Sequence, residues 1–438
     1  MKQKIQTLFD RSNIRQTLLN TAFMLFLLAL FVRFIKQFFS TYSYESWYIS
    51  EFLINYQGGF VRRGLIGEIL FFFVKNFTIN VEWTIKIISL ICFAAVCVFF
   101  VRSFLKKGYS LYILPLCFFL GGAILSNNWI RKDYLCLCCL IPILWLYNKD
   151  NLSILVKYLI INVLAVFIIL NHEVFAFFAL PILFLLLFNQ HKSKGTLQSI
   201  VLSLLCLLPC ILAFLLTLVK HGDNEIAQAI WNSWCTLFNQ EISEVKYQSA
   251  IGAIGWTSKW ALAFHFKKNF LAIDKNILSL LIWCITFPII YYIATNALLV
   301  FRKNENSFTN RHKTALSSIL IFQLACLSPV LIALSCDYLR IIFYWTASSF
   351  AVFLLIPMNK TEQLFPVVFI NFVERTNQLL TNILRPSKTI LVFLMMFTGI
   401  SGFYCVIEMI YKSTMLYNIL WVLSLPFILL KYFLLHII

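Results

Sequence analysis

The sequence predicts an all-α polytopic membrane protein of about twelve transmembrane helices, and three observations carry that expectation. The 438 residues are 61% hydrophobic. Only 12% are charged, about half the fraction usual in a soluble chain. Apolar runs near the length of a bilayer span, about 20 residues, recur from end to end. These runs are continuous rather than alternating, which excludes an outer-membrane barrel.

The basic start (Lys2, Lys4, Arg11, Arg15) leads into an apolar run at 17–39. That run is too long for the apolar region of a cleavable signal and reads as an uncleaved signal anchor. Further spans are expected near 84–104, 109–126, 133–147, 152–170, 173–189, 198–219, 276–300, 313–334, 341–358, 388–411 and 414–436. The run 65–79 is short and contains Glu68 and Lys75. If it does not cross, the loops on one side hold sixteen Lys and Arg, and the short loops on the other hold only Arg131, Lys132, Arg340 and Lys412. That asymmetry obeys the positive-inside rule, and letting 65–79 cross inverts it. The expected protein is therefore a single integral membrane domain, 1–438, with both termini cytoplasmic. Interfacial or re-entrant helices occupy a first outer segment, 40–83, and a large outer loop covers 220–275. The net charge of +18 has the same origin, so nucleic acid is not an expected partner.

With this topology the informative polar clusters fall on the outer face. Foremost is Asn55-Tyr56-Gln57-Gly58-Gly59-Phe60-Val61-Arg62-Arg63-Gly64-Leu65-Ile66-Gly67. Two adjacent guanidiniums just before a helix N-terminus at Gly64 suit a phosphate or diphosphate group. Gly58 and Gly59 permit close backbone approach. The bland alternative is that Arg62 and Arg63 snorkel to lipid headgroups. Glu45 and Glu51 lie in an amphipathic stretch, 44–56; either is a candidate general base, a solvated interfacial carboxylate, or a partner for the arginines. Asn171-His172-Glu173 interrupts a long apolar region, with His172 and Glu173 as a base and its orienting partner, although adjacent helical side chains diverge. Asp337 and Arg340 are spaced to pair on one helix face, and a local pair is also open within Arg131-Lys132-Asp133. Alternatively Arg131 and Arg340 extend the phosphate cradle. In 220–275, tryptophans interleave with carboxylates, which suits sugar stacking or an interfacial anchor. The chain has no Walker A, HExxH or GxSxG sequence and no DxD pair, so no metal or other cofactor is expected.

The segment NYQGGFVRRGLIG after the first span, with NHE and DYLR downstream, resembles Wzy-type O-antigen or capsular polysaccharide polymerases. The resemblance implies a GT-C-like integral membrane glycosyltransferase of the bacterial inner membrane. Its activity would be transfer of glycan from an undecaprenyl-diphosphate-linked donor to a lipid-linked acceptor at the periplasmic face. It also implies a lipid-linked oligosaccharide as ligand and a chain-length regulator and a flippase as partners. In that frame Arg62, Arg63, Arg131 and Arg340 hold the diphosphate, and Glu45, Glu51, His172 or Glu173 deprotonates the acceptor. Gly58, Gly59, Gly64, Asp133 and Asp337 support the site. Three rivals stay open: a GT-C enzyme adding one sugar from a polyprenyl-phosphate donor, a lipid-linked oligosaccharide flippase, and a membrane O-acyltransferase centred on His172.

Overall fold

A computed structural model describes residues 11–114, 128–149, 151–246, 249–266, 273–301, 309–334, 338–398 and 414–437. All regular structure among them is helical. The helices are α1 (Arg11–Phe39), α2 (Trp47–Leu53), α3 (Leu65–Asn76), α4 (Val81–Lys106), α5 (Asp133–Tyr147), α6 (Ile154–Asn171), α7 (Val174–His191), α8 (Thr196–Cys206) and α9 (Leu208–Val219). They continue with α10 (Asn224–Leu237), α11 (Ser258–Phe266), α12 (Ile273–Val300), α13 (Asn310–Pro329), α14 (Tyr338–Leu355), α15 (Met358–Gln363), α16 (Val367–Leu384), α17 (Lys388–Phe397) and α18 (Met415–Ile437).

Five of the described helices are long and apolar enough to cross a membrane, or seven spans if each of two bent pairs counts as one. The chain is therefore a multi-pass helical membrane protein. One bent pair, α8 with α9, turns by 62°. Its cause is Pro209, which lacks an N–H to donate to the preceding turn and crowds it. Asn162 on α6 takes up a freed carbonyl, its Nδ2 donating to the Cys206 oxygen at 2.9 Å. The other pair, α16 with α17, turns by 92° between Leu384 and Lys388.

Several expectations are corrected in detail. Of the expected span 109–126, residues 109–114 form coil and turn rather than helix, and 115–126 lie outside the described residues. Helix α17 stops at Phe397, and most of the rest of the expected span 388–411 also lies outside them. Helix α3 has 12 residues, about 18 Å at 1.5 Å per residue. That is well short of the roughly 30 Å hydrocarbon core. The stretch expected to be an amphipathic interfacial helix, 44–56, instead contains only α2, and its Ile49 to Leu53 are buried.

The reason is that segments 40–83 and 220–275 cover each other. Trp234 on α10 donates from Nε1 to the Leu53 carbonyl at 2.6 Å and packs edge-on against Phe71 of α3. The Ala250 amide donates to Ser50 Oγ at 2.9 Å, and the Arg62 amide to the Lys220 carbonyl at 3.0 Å. Within 40–83, Gly67 lets α3 lie close against the end of α2: a Cβ there would stand 1.8 Å from the Ile54 carbonyl oxygen. The aromatic residues that read as membrane anchors are in part the packing surface between these two segments.

At the centre, α5 packs against α4, α6 and α14, and α14 packs against α5, α7 and α13. Lipid supplies little hydrophobic drive for joining helices, so interhelical hydrogen bonds and close packing carry more of the specificity. Trp345 Nε1 donates to the Leu320 carbonyl at 2.7 Å, and Tyr147 Oη to the Leu186 carbonyl at 2.8 Å. Asn377 joins α16 to α12 and α13 by accepting from Tyr291 Oη at 2.8 Å and donating to Ser317 Oγ at 3.1 Å.

Candidate functional site

Most of the charged residues that the sequence reading singled out meet at one end of this bundle, where α3, α5 and α7 begin and the first described turn of α14 supplies Arg340. Local structure holds each of them. Glu68, in the first turn of α3, accepts from the Tyr56 amide at 2.8 Å and from Gln57 Nε2 at 2.8 Å, folding the glycine-rich loop back over that helix. Gly59 needs its positive φ of 110° to make the turn. Asn171 closes α6 and accepts from the Ile66 amide at 2.7 Å, tying the start of α3 to the end of α6. Arg63 has φ 66°, a left-handed conformation rare for a residue with a Cβ. Its carbonyl accepts from Lys132 Nζ at 2.9 Å, which helps to hold that conformation.

Four distant parts of the sequence meet here. Arg63 grips Glu173 with a two-pronged pair, Nε to Oε2 at 2.8 Å and Nη2 to Oε1 at 2.6 Å. Arg62 Nη1 reaches the same Oε1 at 3.5 Å. Deeper in, Arg131 Nε donates to Glu51 Oε2 at 2.6 Å. Arg340 forks onto Asp133 at 2.8 and 2.5 Å, and Tyr344, one turn along α14, also donates to that carboxylate. Arg340 Nη2 also lies 3.5 Å from Glu51 Oε1 and 2.9 Å from His172 Nε2.

This last contact settles the histidine's roles: an arginine N–H donates, so Nε2 accepts and Nδ1 carries the proton. Among the described residues Nδ1 has no hydrogen-bond partner, and neither has Glu51 Oε1; both atoms are buried. Burial, reinforced by Arg63 and Arg340, lowers the His172 pKa to about 3, so the ring is neutral at physiological pH. Burial alone would raise Glu51, but Arg131 and Arg340 overcome it and hold the carboxyl well below its usual range. Glu173 is likewise raised by burial and pulled down further by Arg63 and Arg62. Burial lowers Lys132 to about 8, which leaves it a cation at neutral pH.

The electrostatic result is an imbalance. Among the described residues, five cations (Arg62, Arg63, Arg131, Lys132, Arg340) face three carboxylates (Glu51, Asp133, Glu173), an excess of two positive charges. Three helix N-termini add partial positive charge to the same place. The described part of the cluster thus carries positive charge that its own carboxylates do not balance.

The sequence-predicted residues divide as follows. Arg62, Arg63, Arg131, Asp133, His172, Glu173, Arg340 and Glu51 are brought together. Glu45 is not; it faces Lys246 at 3.5 Å on an exposed edge. Gly58 and Gly64 serve internal packing, because a Cβ would meet Ile226 and Ala229 of α10 in the first case and the Tyr56 ring in the second. Asp337 lies outside the described residues. Asp133 pairs with Arg340 across 207 residues rather than with its neighbour Arg131. Lys132 and Asn171 lie in the polar clusters the sequence singles out but carry no assigned role there, and Tyr344 stands outside them, although its four-residue spacing to Arg340 on one helix face could have found it.

A cavity of about 270 Å³ lies elsewhere, lined by Lys107, His312, Phe353 and Thr361 among others. It sits at the opposite end of α14, roughly 20 Å from the charge cluster along the helix axis. Comparison with family models, curated proteins and solved structures finds no match for this chain.

Proposed function

We propose that this chain is a membrane-embedded glycosyltransferase acting on a polyprenyl-diphosphate-linked glycan at the outer face of a bacterial inner membrane. In this reading it has about twelve spans, a GT-C-like arrangement and cytoplasmic termini. It elongates a surface polysaccharide beside a flippase and a chain-length regulator. The observation that carries the reading is the excess of two positive charges in the cluster. A diphosphate diester brings two negative charges and neutralises it, whereas a polyprenyl-phosphate sugar brings one.

The chemistry assigns the residues as follows. The bond between the sugar's anomeric carbon and the diphosphate oxygen breaks, and the diphosphate leaves with the electron pair. Arg62 and Arg63 stabilise that departing charge. The acceptor hydroxyl attacks the anomeric carbon and gives its proton to Glu51 Oε1, which lacks a hydrogen-bond partner among the described residues and which the acceptor reaches only once the diphosphate has parted Arg62 and Arg63 from Glu173 above it. His172, neutral, offers its Nδ1 proton as a donor rather than acting as the base. The acceptor glycan lies against segment 220–275, which packs on α2.

One observation favours the single-sugar variant of this reading. The long segment after the first span bears two short helices, α2 and α3, as expected in the sugar-phosphate-dependent branch of the GT-C class. The product separates the two: altered chain length for a polymerase, a missing side sugar for the single transferase. A flippase needs charge lining a two-sided path, and among the described residues the densest group of buried ion pairs lies at one end of the bundle, which counts against it.

The test is replacement of the chromosomal copy by Arg63→Ala or Glu51→Gln, with the surface glycan resolved on gels. The expected result is loss of the product, of the order of a hundred-fold, with the protein still present in the membrane. An unchanged glycan at normal protein level refutes the reading.

A further inference from the structure

The charge cluster has two tiers that differ in access to water. The inner tier is sealed: the side chains of Glu51, Asp133 and Arg131 are 0%, 2% and 9% exposed. The outer tier is open: Arg62 and Arg63 are 29% and 25% exposed, and Glu173 is 14% exposed. An anion arriving from outside therefore meets Arg62, Arg63 and Glu173 first.

Glu173 already occupies the guanidiniums' binding faces. Both its oxygens are taken by Arg63, and Oε1 is shared with Arg62. This is the two-pronged geometry that two oxygens of a phosphate adopt on arginine. Glu173 is also the residue that starts α7, so it places negative charge where the helix dipole favours it. Arg63 is aimed by a left-handed backbone that its own carbonyl contact to Lys132 supports, so the arginine is the fixed partner.

We infer that Glu173 is the resident anion of the Arg62–Arg63 pair and that it selects ligands by charge, admitting a diphosphate diester and rejecting a phosphate diester. The inference rests on the diphosphate reading given above. A ligand with one negative charge replaces Glu173 charge for charge and leaves the displaced carboxylate unpaired. A ligand with two charges places one phosphoryl group on Arg63 and the other on Arg62, and gains a contact that Glu173, with its single 3.5 Å reach to Arg62, does not fully use. Glu173 is then a specificity-determining residue and not the general base.

The probes are two lipid-matched diesters, P1-farnesyl P2-methyl diphosphate with two charges and farnesyl methyl phosphate with one. Their affinities are measured by titration calorimetry on the purified full chain in detergent. Wild type is expected to bind the diphosphate at least about ten-fold more tightly, the worth of one further charge-assisted hydrogen bond. Glu173→Gln is expected to bind the monophosphate about ten-fold more tightly than wild type does, so that discrimination shrinks toward parity. Unchanged discrimination in Glu173→Gln, or equal weakening of both probes, overturns the inference and leaves the diphosphate site standing. If wild type binds neither probe, the diphosphate reading falls with it. Arg62→Ala tests the same point while keeping both members of the Arg63–Glu173 pair and removing only the 3.5 Å reach of Arg62 to Oε1. It should weaken the diphosphate about ten-fold and leave the monophosphate within two-fold, and equal loss of both refutes selection by charge.

Discussion

Replacing Glu51 by Gln removes one charge from the centre of the cluster and little else. The glutamate is fully buried, accepts from Arg131 Nε at 2.6 Å, and lies 3.5 Å from Arg340 Nη2 and 3.6 Å from His172 Nε2. The substitution raises the local excess of positive charge from two to three. Breaking a buried ion pair from one side costs about 3–5 kcal/mol, because the partner is left buried and uncompensated. The glutamine oxygen still accepts from Arg131, so the lower end, about 3 kcal/mol, is expected. That is a large share of a total stability of about 5–15 kcal/mol. Arg131→Met alone leaves Glu51 with only the 3.5 Å approach of Arg340 and should cost a similar amount. The double variant restores the original balance, so the two changes together should cost about 2 kcal/mol less than their sum. Reversible unfolding in mixed micelles, followed by tryptophan fluorescence, gives all four corners of the cycle. A cost below about 1 kcal/mol for Glu51→Gln, or strict additivity in the double variant, would show that the cluster is not the tightly coupled charge network described here.

Two further outcomes follow from the same geometry. Gly67→Ala drives a Cβ to 1.8 Å from the Ile54 carbonyl and 2.8 Å from that of Phe52; α3 must move, and the folded yield on size-exclusion chromatography should fall sharply, whereas a wild-type profile would contradict the packing of α3 on α2. Lys132 titrates at about 8 in the folded protein against its usual 10.5, so between those values the unfolded chain holds a proton that the folded chain has lost. Stability should therefore rise with pH across that window, while affinity for a diphosphate diester falls as the cation disappears. Lys132→Met should abolish both trends, and a pH profile identical to wild type would remove Lys132 from the site.

The sequence reading and the structure agree where the signal is local or compositional. Apolar runs near 17–39, 84–104, 152–170 and 173–189 coincide with α1, α4, α6 and α7. The two arginines after Gly59 and the His172-Glu173 break stood out because charge inside an apolar chain is costly. Pairing was not legible, because it is set by tertiary contact. Arg63 finds its carboxylate 110 residues away and Arg340 finds its own 207 residues away. Local spacing suggested Arg131 with Asp133, but the first turn of α5 sends them to different partners. Glu45 and Glu51 were indistinguishable as sequence, since both sit among aromatics. Helix α2 separates them, because it starts at Trp47 and buries only the second. Lys132 stands out in the sequence only as a topology charge and as a member of the possible local pair within Arg131-Lys132-Asp133. The burial of α2 was missed for a related reason: Trp234 and its neighbours look like membrane anchors until Leu53 is seen beneath them.

The most direct test of the central claim removes the cradle while keeping the charge count. Arg63→Met with Glu173→Gln deletes one cation and one carboxylate, so the excess of two positive charges is unchanged. The measurement is the affinity of the purified double variant for P1-farnesyl P2-methyl diphosphate, against wild type. If Arg63 holds the diphosphate, affinity falls by about thirty-fold or more, as expected on losing a two-pronged charged contact. An affinity equal to wild type in a folded double variant would contradict the assignment of this site to the diphosphate.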